Sequence, residues 1–238
     1  MLYDNPAARL KAILEFGMMV PRNKQCRLAW EEILGAQPGD TADLFAKLGK
    51  AMELPKRTIL LVQTHFPHQL SNAGLWHDPI ESAFINQQLG GQWTTFIEHI
   101  NPYCIPQVGL ISDLIHSKVS AKFARDEDIS NILDGLKALI DLIDQSTISE
   151  QLKNYLAQEL GVLVQSVRDY KISGATPILR QAESMVGHTL LDPEYSSFLT
   201  NHELGQRLLD NLNAMAAILT VAMSLPQLAQ GFIALLPK

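Results

Sequence analysis

The side chains best suited to chemistry gather between residues 65 and 78. His65-Phe66-Pro67-His68 places two imidazoles three residues apart, and His77-Asp78 follows nine residues on. Neutral imidazole and carboxylate hold zinc and similar cations, and ligands three or four apart share one face of a helix. His65, His68, His77 and Asp78 are therefore the candidate metal ligands. Pro67 interrupts a regular helix between the first two, and no Cys or Glu completes an obvious set. The plainer expectation is a loop with surface histidines and no metal.

The doublet His77-Asp78 also resembles that of the HD phosphohydrolases. These all-α enzymes hold metals with an early His, the doublet and a later Asp. The resemblance implies His65 or His68 as the early ligand and Asp113 or Asp126 as the late one. This chain departs from that pattern in two ways. The early His is too close, and Asp78, preceding Pro79, reads as a helix cap where the family has the doublet inside a helix. Other signatures are broken. His202-Glu203 begins a zinc-protease HExxH, but residue 206 is Gln. Gly90-Gly91 has no GK[ST] after it, and no GxSxG occurs. Cys26 sits beside Ala29 and Trp30 on an apolar helical face, the setting of an inert core thiol. The expectation is no enzyme, no catalytic residue and no cofactor, with an HD-like hydrolase as one alternative.

Binding surfaces come next. Trp30, Trp76 and Trp93, with Phe84 and Phe96, read as core anchors. Trp76 lies in a loop flanked by Gly and Pro, which makes it the candidate exposed contact for a partner. The last stretch, Asn211–Pro237, contains no Asp, Glu, Lys, Arg or His. A membrane span needs about 20 apolar residues. Pro226 divides this one, and Gln227 and Gln230 follow the break. Periodicity predicts an amphipathic helix. Gln206, Asp210, Asn213, Ala217, Thr220 and Ser224 form a narrow polar stripe opposite Leu204, Leu208, Leu212, Met215 and Leu219. Leu228, Phe232, Ile233 and Leu236 then need a cover: the protein's own core, a second subunit or a partner. The competing expectation is a membrane-disrupting effector acting through this segment.

These residues must be positioned by helices. Caps and breaks recur along the chain: Asn5-Pro6, Asp40, Asp78-Pro79, Thr147-Ile-Ser-Glu150 and Thr176-Pro177 as starts, Gly35, Pro55 and Gly174 as stops. Leu44, Phe45 and Leu48 are expected to face inward on the third helix, and Ile59, Leu60 and Val62 are the apolar residues of the fourth. No window alternates like a strand. The expected fold is all-α, about ten helices in a two-lobed bundle. The expected division is an N-terminal lobe 1–117, a polar linker 118–128 and a C-terminal bundle 129–238. Among 238 residues, 47% are hydrophobic and 18% charged, with a net charge of −6. That balance disfavours a general nucleic-acid binder. Two cysteines without CxxC, and no signal-peptide pattern at the start, lead to the expectation of a cytoplasmic protein.

The stretches "NPAARLKAIL", "AWEEILG" and "YLAQELGVLVQSVRDYKISGATPILRQAESMVG" (Tyr155–Gly187), with the spacing of Tyr170, Gly174, Leu179 and Gly187, are similar to uncharacterised all-helical bacterial proteins. Some of those sit with toxin, immunity or anti-phage genes. The resemblance covers packing residues and transfers no functional residue. It implies a bacterial source and an interaction role. The resulting expectation is a non-enzymatic protein-binding module. Its sharpest form is an immunity, regulatory or accessory component of a toxin or anti-phage defence system.

Overall fold

The computed structural model describes residues 3–118 and 122–222. Among them the chain forms thirteen α-helices and two 3-10 segments, with no strand beyond an isolated bridge between Gln25 and Gln92. It divides into two compact units, 1–121 and 122–238.

In the first unit, α1 (Pro6–Met19) starts where the sequence signals it. The Asn5 side chain accepts the Ala8 N–H at 2.9 Å, and Pro6 occupies the first turn. The same amide donates to the Ser112 carbonyl at 3.2 Å, tying α1 to α7 (Cys104–Lys118). Leu10, Ile13, Leu14 and Gly17 are buried as the spacing predicts. Gly17 is small for a reason. The Trp93 indole donates to its carbonyl at 2.8 Å, and a Cβ there would meet that ring at 3.1 Å. Arg9 is buried and paired with Asp4.

Gly35, left-handed at φ 59°, closes α2 (Cys26–Leu34), and Asp40 caps α3 (Thr41–Met52). Pro55 does not stop α3 but lies in the first turn of α4 (Leu54–His65), where a missing N–H costs nothing. Phe45 is 52% exposed, against the expectation, and the apolar Leu60 is 61% exposed. The buried stripes run through Leu44, Leu48 and Ala51 on α3, and Leu54, Thr58 and Val62 on α4. A 3-10 segment (Pro67–Leu75), α5 (His77–Asn86), the single turn α6 (Thr94–Ile97) and α7 complete the unit. Its core is aromatic. Trp30 meets Trp93 and Phe96 edge-on at 5.1 and 4.8 Å, and Trp93 stacks on Phe96 at 4.8 Å. The Trp30 N–H is satisfied by Gln87 Oε1 at 2.6 Å.

The second unit contains α8 (Asp126–Asp144), α9 (Glu150–Arg168), α10 (Tyr170–Ser173), α11 (Ala175–Gly187), a 3-10 turn (His188–Leu190), α12 (Pro193–Asn201) and α13 (Glu203–Ala222). The division between the units falls within the polar stretch 118–128, whose ends belong to the flanking helices. Lys118 ends α7, Asp126–Asp128 form the first turn of α8, and Ala124 is buried with its N–H donated to the Tyr170 hydroxyl at 2.8 Å. Charge alone does not mark a linker, because three acidic residues suit a helix N-terminus.

Two boundaries shift. The cap of α9 is Ser149, whose hydroxyl accepts the Leu152 N–H at 3.2 Å, and not Thr147. Between that start and Gly174 the helix breaks at Asp169. Gly174 (φ 83°, ψ −172°) then separates α10 from α11, which begins at Ala175. These breaks, and the one at His202, raise the helix number above ten. Leu208, Leu212, Met215 and Leu219 of α13 are buried on the predicted face, packed in a core with α8, α9, α11 and α12. No described helix is long and apolar enough to cross a membrane. Leu228, Phe232, Ile233 and Leu236 lie outside the described residues.

Candidate docking groove

The proposed metal ligands take up local contacts of their own. Phe66 breaks the chain direction after α4 (φ −141°, ψ 54°) and buries its ring, with His65 and His68 edge-on to it at 6.4 and 6.5 Å. His77 Nδ1 lies 3.4 Å from Asp78 Oδ1, and its Nε2 lies 3.4 Å from Glu81 Oε1. Asp78 is not the cap of α5. It stands inside the first turn, with its carboxylate folded toward Gly74. The doublet thus lies within a helix, contrary to expectation. Among the described residues, however, no three His, Cys, Asp or Glu side chains are placed to hold a metal ion. Asp126 belongs to the other unit, and Asp113 stands on α7. His202 turns its Nδ1 to the Leu204 N–H at 3.1 Å, which starts α13, and Glu203 pairs with Arg207. Both serve the helix and not a metal.

Cys26 is buried against Gln87 (Sγ to Oε1 3.8 Å), and burial pushes its thiol up, as it does for Cys104. Neither is poised as a nucleophile.

Trp76 corrects the partner expectation: it is 1% exposed. A loop residue before α5, it folds inward because its indole has core to cover. Its position still matters. It lines a groove of about 620 Å³ between the 3-10 segment and α7. Leu75, Leu110, Ile111 and Leu114 supply the other apolar surface, and Leu75 and Leu110 are 57% and 58% exposed. The α7 wall follows from spacing: Gln107, Leu110, Leu114 and Ser117 recur at three and four residues. Asn72 and Gln107 are neutral polar neighbours. Asp113 is the single charged lining residue, and it makes no ion pair among the described residues. It also lines an adjoining pocket of about 420 Å³ beside Lys11 and Glu15, which pair with each other at 2.7 Å.

The sequence reading missed Leu75, Leu110, Asp113 and Leu114 as a group. The groove joins two segments some 35 residues apart, and its α7 half reads as an ordinary second apolar stripe.

A second cluster, also missed, lies in unit two. His188 stacks on Tyr155 at 4.2 Å, and both face Tyr195 at 5.5 and 5.1 Å. Burial pushes the Tyr155 phenol up to about 12, with the Glu159 and Asp192 carboxylates adding to it. Burial raises Tyr195 further, and its hydroxyl has no hydrogen-bond partner among the described residues. These phenols stay protonated and serve packing.

Comparison with known proteins adds nothing to this geometry: no family model, no curated protein and no solved structure matches the chain.

Proposed function

We propose that this is a non-enzymatic protein-binding module that engages its partner through the groove of unit one. The observation that carries this reading is the exposure of Leu75 and Leu110 beside a groove with Trp76 in its lining. Its volume falls in the range of binding clefts, about 300–1,000 Å³. Its chemistry is that of an interface centre: apolar and aromatic surface, neutral amides, little charge. A peptide helix or extended segment with two or three apolar anchors matches this shape. The more specific role, an immunity or accessory component of a bacterial toxin or anti-phage system in the cytoplasm, rests on the sequence resemblance alone.

The test is affinity purification from cells that naturally make the protein, with wild type and Leu110→Glu side by side. A stoichiometric protein retained by wild type and lost by the variant supports the reading. Equal recovery with both, or no partner with either, sinks it.

A further inference from the structure

Resting on that protein-binding reading, the groove has a candidate ligand within the chain's own sequence. We propose that the groove of unit one receives residues 225–238 of a second copy of this chain. Two independent inventories match. The segment reads Leu-Pro-Gln-Leu-Ala-Gln-Gly-Phe-Ile-Ala-Leu-Leu-Pro-Lys: apolar residues, neutral glutamines and a single charged side chain, Lys238. The groove offers apolar side chains, neutral amides and a single charge, Asp113, of opposite sign and without an ion pair among the described residues. Leu228, Phe232, Ile233 and Leu236 supply the anchors against Leu75, Leu110 and Leu114, and Lys238 pairs with Asp113.

Length fits as well. Fourteen residues cover about 21 Å even at the compact helical rise of 1.5 Å per residue, more than the roughly 15 Å from Gln107 to Ser117 along the α7 wall. Charge excludes the commoner surface segments. A strongly acidic ligand meets Asp113 unfavourably, and a highly charged one loses hydration against a wall with a single countercharge. A groove and a short segment bury less than a standard interface, so association in the micromolar range is expected. Exchange of segments between two copies in both directions closes a dimer.

Sedimentation velocity of the 238-residue chain, from about 1 to 200 µM, reads this directly. Wild type is expected to pass from monomer to dimer. Leu110→Glu and Ile233→Glu, one on each side of the contact, are each expected to remain monomeric, with circular dichroism melting unchanged for both. Asp113→Lys and Lys238→Glu are each expected to weaken the dimer about two- to fivefold, and the double exchange to restore it. Wild type that stays monomeric throughout overturns the proposal, as does a dimer that survives Leu110→Glu or charge variants whose combination restores nothing. If wild type is monomeric yet a different protein is captured in a Leu110-dependent manner, this inference falls and the protein-binding reading stands.

Discussion

Tyr155 and Tyr195 show how burial alone reshapes a side chain's behaviour. Each phenolate would sit among apolar atoms and near carboxylates, so the neutral form is favoured in the fold. An unfolded tyrosine titrates near pH 10. A folded-state value raised above that contributes stability that is complete below about pH 10 and lost as pH climbs toward the folded value, about 12 for Tyr155. Denaturant midpoints are therefore expected to fall between pH 10 and 12, and Tyr155→Phe to flatten that fall. A variant with the same pH slope as wild type would contradict the assignment. At this scale the sequence was a poor guide. Trp76 looked like a surface aromatic because of its loop setting, and it is buried. His65 and His68 looked like a ligand pair, and both instead lie edge-on to the buried ring of Phe66. Residue type states what a group can do; its neighbours decide whether it does so.

At the scale of elements, capping chemistry was readable and its exact position was not. Asn5, Asp40 and Gly35 act where the sequence signals them because each has one local answer. Thr147 and Ser149 both offer a hydroxyl before α9, and only packing of Leu152 into the core selects the second. Ser149→Ala is expected to cost about 1 kcal/mol in chemical denaturation. Thr147→Ala is expected to stay within about 0.5 kcal/mol; the reverse order would restore the Thr147 cap. The α12–α13 corner makes a second prediction. A Cβ on Gly205 would run into the Phe198 carbonyl and the Leu199 backbone, where no flexible side chain can yield. Gly205→Ala is expected to lower stability by more than about 2 kcal/mol, measured by thermal melting. A neutral substitution would mean that the corner relaxes freely. No sequence rule separates this glycine from Gly161, which has open space around it; the difference lies wholly in the approach of another backbone.

Across the whole molecule, the stable core and the apolar surface are separate resources. The aromatic cluster of unit one and the long apolar core of unit two are closed without Leu75 or Leu110. Leu110→Glu is therefore expected to change the unfolding free energy by no more than about 0.5 kcal/mol while removing association. A large loss of stability would reassign Leu110 to the core. By itself the sequence determined the helical class, the caps at Asn5, Asp40 and Gly35, and the buried face of α13 as far as Leu219. Those depend on a period of 3.6 residues and on side chains reaching only to the next turn. Tertiary structure decided the rest: which of two apolar stripes on α7 meets the core, that Trp76 points inward, that the histidines and acids between residues 65 and 126 make no common site among the described residues, and that Leu75 and Leu110 flank one groove. Each of these turns on contacts between segments far apart in the chain, and contacts of that kind leave no mark in the spacing of either segment alone.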